Sequence, residues 1–282
     1  MSRFLFSLLI LDCVASLLNP PLNTFVALNG CFEYRKGYRI DVHEKHMTAT
    51  DSIQFKDDCL KACLRTMIQD NFTCRSLMHM PRDDDCILTA MNSEDGAKLE
   101  KVDESGLMAV NFYENKCANG PFENPAAISE ARFSSFKSVV GRVQIAQRPG
   151  QKPSIFAVID GLRPNSLVDI SIRRSPVNDC SKLRHSEIKL SQRLLQVFTD
   201  NSGFLVQPWS LADHRVLGDD FLGSTILLID TLTLRIIDCA TIAIKGDPED
   251  FERIKSFSST NTLSSSVIVI FTGFVVLLLK LE

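Results

Sequence analysis

Nine cysteines divide this chain of 282 residues into two unequal parts. Six of them lie between Cys31 and Cys117, two more are Cys180 and Cys239, and Cys13 lies close to the N-terminus. A region of fewer than about 100 residues has a small hydrophobic core, so cross-links contribute much of its stability. Structural disulfides form in oxidising compartments such as the cell exterior. Targeting signals at the two ends of the chain therefore indicate whether these cysteines can pair.

The N-terminal end predicts a secretory signal peptide. Arg3 precedes a short apolar run, Phe4–Leu11, and small residues around Ala15 suit a signal peptidase. We therefore predict a signal peptide over residues 1–15, with a buried N-terminal helix as the alternative. Cys13 leaves with this peptide, and the cysteines that remain are even in number, as a disulfide-bonded extracellular protein requires.

The C-terminal end predicts a membrane anchor. Residues 246–266 are predicted to form a polar stalk, followed by a hydrophobic tail over 267–282. Small residues, a polar spacer and a terminal apolar tail are typical of a glycolipid (GPI) attachment signal, with Ser256, Ser258 or Ser259 as the attachment residue. The alternative is a short single-span anchor. The apolar part is shorter than the roughly 20 residues that cross a bilayer, which favours the GPI signal. Both predict a protein on the extracellular face of the cell membrane.

Residues 31–117 predict a small disulfide-rich α+β module. Asp57 and Asp58 suit the beginning of a helix, and Cys59 and Cys63 are four residues apart, so they share one face of that helix. A leading cysteine before an aromatic residue, the C-x3-C helix, two strand cysteines and a closing NFYENKC make this region resemble the PAN/apple family.

The PAN/apple resemblance implies three nested disulfides, whereas the spacing alone leaves other pairings open. The implied pairs are Cys31–Cys117, Cys59–Cys86 and Cys63–Cys74. The resemblance also implies a module that binds proteins or carbohydrates and does not catalyse a reaction. With these six cysteines paired, Cys180 is left to pair with Cys239. Asn71 begins an Asn-Phe-Thr sequon, which predicts N-glycosylation outside the cell.

A proline-containing segment over residues 118–132 predicts a linker to a second domain, residues 133–245. Short alternating or branched apolar runs, separated by turn signals, predict an all-β sandwich or Greek-key barrel there. The predicted strands include Ile155–Ile159, Val168–Arg173 and Thr225–Ile229. The chain is therefore predicted to have two domains.

The second domain resembles the Cu/Zn superoxide dismutases over about residues 139–244. The resemblance is carried by Val139-Val-Gly-Arg-Val-Gln-Ile-Ala-Gln147, by the strand that follows Gly161-Leu162, and by a loop cysteine placed to bond a cysteine of the last strand. It implies a Greek-key barrel of the superoxide dismutase-like type and a Cys180–Cys239 disulfide.

The metal ligands that this resemblance implies are missing from the sequence. The family's first two copper histidines fall on Ser171 and Arg173, or in a second register on Ile170 and Ile172. The later copper histidine falls on Ile229, or on Asp230 if one extra residue is allowed. A copper site needs several imidazoles around one ion, and His185 is the only histidine where the family's zinc loop would lie. We therefore predict an inactive domain with no copper, no zinc and no cofactor.

The formal net charge of −3, without a basic stripe, argues against a nucleic-acid partner. The sequence predicts a cell-surface binding protein of the adhesion or receptor type, which is not an enzyme and binds an extracellular protein or carbohydrate. The alternatives are a divergent extracellular dismutase-like enzyme and a structural coat protein.

Overall fold

The computed structural model describes residues 24–50, 52–69, 72–102, 109–121, 126–134, 139–148, 151–177, 179–183, 188–212 and 221–254. Several predicted features lie outside these residues: the signal peptide, Asn71, His185, the hydrophobic tail and the candidate attachment residues Ser256, Ser258 and Ser259. Within the described residues, no helix has the length and apolar character needed to cross a bilayer.

The first half of the described chain forms an antiparallel sheet with a helix across it. Its elements are α1 (Thr24–Gly30), β1 (Phe32–Arg35), β2 (Tyr38–Asp41), β3 (Met47–Thr50), α2 (Lys56–Thr66), β4 (Ser76–Met80), β5 (Asp85–Thr89), β6 (Lys98–Lys101) and β7 (Asn111–Asn115). Five strands follow the order β1-β7-β4-β5-β3, and β2 pairs separately with β6.

Helix α2 forms where the sequence predicts a helix. Asp57 and Asp58 lie in its first turn and Arg65 in its last, an arrangement that favours the helix dipole. Its buried residues are Cys59, Leu60, Cys63 and Leu64. A spacing of three to four residues places them on one face, which confirms the predicted shared face of the two cysteines.

Four disulfides cross-link the described chain: Cys31–Cys117, Cys59–Cys86, Cys63–Cys74 and Cys180–Cys239. The first three are the pairs that the PAN/apple resemblance implies, and the fourth joins the two cysteines that these pairs leave. The first joins the two ends of the first region, with 5.0 Å between the Cα atoms of Cys31 and Cys117. The next two attach α2 to β5 and to the segment before β4, so they fix the helix across the sheet.

The second half forms an eight-stranded antiparallel sheet that closes almost into a barrel. Its strands are β8 (Ala127–Ser134), β9 (Val140–Gln147), β10 (Ser154–Asp160), β11 (Leu167–Arg173), β12 (Gln192–Phe198), β13 (Leu205–Leu211), β14 (Thr225–Asp230) and β15 (Arg235–Ile244). They follow the order β12-β11-β14-β15-β8-β9-β10-β13. Ile145, Ile155, Ile170 and Ile226 are among the apolar side chains that fill the interior. The prediction of an all-β second half is therefore confirmed.

The prediction of a linker over 118–132 is wrong for its second part. From Ala127 onward the chain belongs to strand β8, which pairs with β9 and β15. Ala127 and Ala131 are buried, so these small residues fit a close-packed sheet and do not mark a flexible segment. Residues 248–254, the beginning of the predicted polar stalk, form a helix in which Phe251 is 3% exposed. This part of the chain packs against the protein and is not an extended stalk.

The two halves share one hydrophobic core. Phe156 and Val158 on β10, together with Phe204 and Val206 at β13, point away from the barrel interior and pack in the same core as the buried face of α2. Strand β10 is therefore buried on both faces, which explains why its sequence is a continuous apolar run and not an alternating one. The two sheets therefore pack directly against each other.

Polar contacts fix the orientation of the two halves, which apolar burial alone does not do because it is non-directional. The hydrogen bonds run from Trp209 Nε1 to the Cys117 carbonyl oxygen (2.9 Å) and from Arg142 Nη2 to the Ile68 carbonyl oxygen (2.7 Å). The ion pairs are Arg65 Nε with Asp160 Oδ2 (2.7 Å) and Lys61 Nζ with Asp200 Oδ2 (2.6 Å). Directional contacts thus connect both helix α2 and Cys117 to the barrel.

Candidate binding site

The three positions expected to have lost copper-binding histidines do not lie together. Ser171 and Arg173 lie on β11, and Asp230 ends the neighbouring strand β14. Arg173 lies opposite Thr225 and Asp230 opposite Val168, so the two charged residues occupy opposite ends of the β11–β14 ladder. At about 3.3 Å per residue, their backbones are roughly 17 Å apart. One ion cannot contact both.

Asp230 instead stabilises the turn after β14. Its Oδ1 accepts hydrogen bonds from the backbone N–H groups of Leu232 and Thr233, each at 2.9 Å. The hydrogen bond from Thr233 is the main cause that lowers the pKa of the Asp230 carboxyl below its usual range. Within the described residues, no group of three metal-binding side chains comes together.

The polar face of β11 is covered by the loop that follows this strand. Ser171 pairs with Leu227 on β14, and Leu227 pairs with Cys239 on β15, so the side chains of Ser171 and Cys239 lie on the same face of the sheet. Cys180, in the loop after β11, is bonded to Cys239, and this loop therefore lies over that face. Thr225 Oγ1 donates to the Ser175 carbonyl oxygen at 2.9 Å and holds the same loop. Ser171 is accordingly only 3% exposed, and we assign it a packing role.

A second group of side chains lies on the first sheet, near the N-terminal end of α2. It consists of Tyr34, Asp57, His79, Asn111 and Tyr113, and we call it the polar-aromatic cluster. Tyr34 lies opposite Tyr113, and His79 lies opposite Asn111, on the adjacent strands β1, β7 and β4. Paired residues, and residues two apart on one strand, share a face of a sheet. Tyr113 belongs to the same core as α2, so this is the face that the helix covers.

The two tyrosines of the polar-aromatic cluster are stacked. Their ring centroids are 4.9 Å apart with an interplanar angle of 28°. Tyr34 is 45% exposed and Tyr113 only 8%, so Tyr34 presents the open part of the stack to solvent. The Tyr34 hydroxyl donates to Asn111 Oδ1 at 3.1 Å. Burial, aided by Tyr34 and the negative charge of Asp57, raises the pKa of Tyr113 to about 12, so its hydroxyl stays protonated.

Asp57 approaches this face from the helix. It lies three residues before Leu60 and seven before Leu64, on the stripe of α2 that is buried against the sheet. Its Oδ1 atom is buried and accepts no hydrogen bond from the described residues, although Lys56 Nζ approaches it at 3.4 Å. The described protein therefore supplies this oxygen with an ion pair but with no hydrogen bond.

His79 is the most unusual member of the polar-aromatic cluster. It is 3% exposed, and neither ring nitrogen has a hydrogen-bond partner among the described residues. A buried polar group without a partner costs roughly 1 to 3 kcal/mol. Buried side-chain polar atoms in native proteins are mostly bonded to protein or water, so the ring nitrogens of His79 point to a partner outside the described residues.

The sequence alone did not single out this cluster. The motif NFYENKC contains Asn111 and Tyr113, and their spacing of two places them on one face of a strand. Tyr34, Asp57 and His79, however, come from distant segments and join them only through the register of three strands and the position of α2. No local pattern in the sequence carries that information.

The described fold defines a mostly β protein, cross-linked by four disulfides, in which a five-stranded sheet and an eight-stranded sheet share a core. No family model matches the chain. It is 31% identical over 253 residues to an uncharacterized protein of Caenorhabditis elegans, a match that covers 88% of this chain and 85% of that protein. The chain belongs to the same family as this nematode protein.

Proposed function

We propose that the chain is a cell-surface binding protein of the adhesion or receptor type. In this proposal, residues 31–117 are a PAN/apple-like module that presents the binding surface. The barrel is a superoxide dismutase-like domain without enzymatic activity, and a GPI signal holds the protein on the extracellular face of the membrane. The partner is an extracellular protein or carbohydrate.

Two features of the fold support the assignment of the two parts. In the first region, a C-x3-C helix lies across an antiparallel sheet, and Cys31–Cys117 joins the ends of the region. In the second region, a loop-to-last-strand disulfide, Cys180–Cys239, closes an almost complete antiparallel barrel. Four disulfides are typical of a protein that folds in an oxidising compartment, which supports an extracellular location.

The observation that carries the binding function is the polar-aromatic cluster. A half-exposed tyrosine lies beside buried polar atoms of Asp57 and His79 that have no hydrogen-bond partner among the described residues. Binding sites commonly combine an aromatic surface with a few polar groups that orient the ligand. The dismutase alternative has less support, because Arg173 and Asp230 lie at opposite ends of their strand ladder.

The proposal is tested with a soluble, tagged ectodomain that ends at residue 254, applied to intact cells. We expect saturable binding that is lost when Tyr34 and Asp57 are both replaced by alanine and retained in a Tyr38→Ala control, which removes an exposed tyrosine outside the cluster. Self-association of the ectodomain without saturable binding to cells would favour a structural coat protein. Dismutation of superoxide by the purified ectodomain would favour an enzyme.

The anchor has a separate test. Phosphatidylinositol-specific phospholipase C should release the full-length protein from intact cells if a GPI anchor replaces the tail. If the protein instead stays in the membrane fraction and keeps its C-terminal peptide, the tail is a single-span anchor. Either result leaves the binding function of the ectodomain to be judged on its own assay.

A further inference from the structure

We propose that the polar-aromatic cluster is a binding site for a neutral saccharide. The open side of Tyr34 lies against the sugar ring, and Asp57, His79 and Asn111 bond its hydroxyl groups. The inference rests on the proposed function only in treating the protein as an extracellular binder, and it adds the chemical class of the ligand and the residues that select it.

The unsatisfied atoms of the cluster select a ligand that both donates and accepts hydrogen bonds. The Asp57 carboxylate accepts only, and its Oδ1 has an ion pair with Lys56 but no hydrogen bond, whereas the two ring nitrogens of a histidine such as His79 can donate or accept. Asn111 adds amide N–H donors, because its oxygen is already bonded to Tyr34. A hydroxyl group donates one hydrogen bond and accepts two, so a polyhydroxylated ligand matches this mixture.

The charges around the cluster exclude the two ionic ligand classes. An anionic group would face the Asp57 carboxylate in the first turn of α2, and the neighbouring cation, Lys56, is already paired with that carboxylate at 3.4 Å. Repulsion between like charges therefore opposes an anionic ligand. A cationic group would suit Asp57, but a cation carries donors only and would leave the Asn111 amide group and an imidazole N–H of His79 without an acceptor. A neutral ligand avoids both mismatches.

The aromatic stack supplies the apolar part of the site. One side of the Tyr34 ring is fixed by its stacking on Tyr113 and by its hydroxyl bond to Asn111, so the ring is held in place before any ligand arrives. The other side is open, since Tyr34 is 45% exposed. The negative face of an aromatic ring attracts polarised C–H groups, and a pyranose ring presents such groups beside its hydroxyls. A pre-ordered platform also reduces the entropy lost on binding.

The depth of the site follows from the burial of its members. Tyr34 and Asn111 reach solvent, whereas His79 is 3% exposed and lies next to Asn111 on the adjacent strand. A sugar ring on Tyr34 therefore contacts Asn111 and Asp57 directly. A hydroxyl or an ordered water under the ring completes the hydrogen bonds of His79, as waters do in many recognition sites.

The test uses the full-length chain, expressed in animal cells, purified in a detergent that contains no sugar, and applied to an array of neutral, sialylated and sulfated glycans. We expect binding to neutral glycans with little dependence on salt. Tyr34→Ala and Asp57→Asn should each weaken it by about tenfold or more, because each removes a direct contact of the order of a hydrogen bond to a charged group or a ring stack. The matched control Tyr38→Ala should bind like the unmodified chain.

Three outcomes would overturn the inference. They are binding only to sulfated or sialylated glycans with a steep salt dependence, equal losses for the Tyr34 and Tyr38 variants, and no glycan binding at all by a folded chain. Folding of each variant is checked by its disulfide pattern and circular dichroism, so a misfolded variant is not mistaken for lost recognition. In the last outcome, saturable binding of the ectodomain to cells would still support the proposed function, with a protein as the partner.

Discussion

Replacing Phe156 by alanine tests whether the two sheets unfold as one unit. Phe156 is fully buried on the outer face of β10, where it packs in the same core as α2 and lies 5.4 Å from the Trp209 ring. Its neighbour Ile155 is equally buried, but it points into the barrel. The pair therefore provides matched truncations on the two faces of one strand.

The expected loss of stability can be derived from general magnitudes. Truncation of a buried phenylalanine costs about 3 to 5 kcal/mol, which includes about 0.5 to 1.5 kcal/mol from its contact with the Trp209 ring. Ile155→Ala costs about 2 to 5 kcal/mol by the same reasoning. With a urea dependence of about 2 to 3 kcal/mol per molar for a chain of this size, each variant should shift the unfolding midpoint by roughly 1 to 2 M.

The assay uses a favourable property of the sequence. Trp209 is the only tryptophan, and it lies at the boundary between the two sheets. Its fluorescence reports on that boundary, whereas far-ultraviolet circular dichroism reports on both sheets. In non-reducing urea titrations of a secreted form that ends at residue 254, we expect the two signals to change together in the unmodified protein and in both variants, because one cooperative unit has one transition.

A different pattern would refute the shared core as a cooperative unit. If the fluorescence of the Phe156→Ala variant changes about 1 M of urea before its circular dichroism, the sheets separate before they unfold. The same conclusion would follow if Phe156→Ala left the midpoint of the circular dichroism transition at its unmodified value while Ile155→Ala lowered it.

The remaining predictions concern a buried ring, a buried carboxylate and a disulfide. His79→Leu should raise the free energy of unfolding by roughly 1 to 2 kcal/mol in urea titrations, because it replaces an unsatisfied buried polar group by an apolar one. Glycan binding should fall in the same variant. A loss of stability would instead mean that His79 has a structural partner. Burial raises the pKa of Glu114, but hydrogen bonds and neighbouring positive charges outweigh burial and lower it below 4.5; its contribution to stability is therefore present at neutral pH and lost as the pH falls below about 4.5. Glu114→Gln should thus flatten the acid side of the stability–pH curve, and an unchanged curve would contradict this. Cys180→Ser opens a disulfide that links residues 59 apart, so it should remove about 4 kcal/mol and sharply reduce secretion, measured as protein in the medium; normal secretion would count against a stabilising role.

The parts of the fold that could be predicted from the sequence are those with a local signal. Helix α2 was predicted from two acidic residues and two cysteines four residues apart, and β11 from its alternating apolar residues, because each pattern lies within one element. The beginning of β8 was missed, since Ala127 and Ala131 carry little hydrophobic signal although they fit a tightly packed strand.

The shared core and the polar-aromatic cluster could not be predicted for a different reason. The continuous apolar run of β10 indicates a strand buried on both faces but does not say what covers the second face. Tyr34, His79 and Tyr113 are brought together by strand pairing, and a slip of one residue in any register would move a side chain to the other face. These contacts depend on the complete sheet.

The short distance between Cys31 and Cys117 has a mechanical consequence. A pulling force applied to the ends of the chain travels along the shortest covalent path, and the disulfide offers such a path across Cα atoms 5.0 Å apart. The sequence separation of 86 between the two cysteines corresponds to roughly 290 Å of extended chain at about 3.4 Å per residue. None of that length can be drawn out while the bond is intact. Under tension the first sheet therefore keeps its shape, and by the same argument the Cys180–Cys239 bond leaves only the parts of the barrel outside that loop to extend.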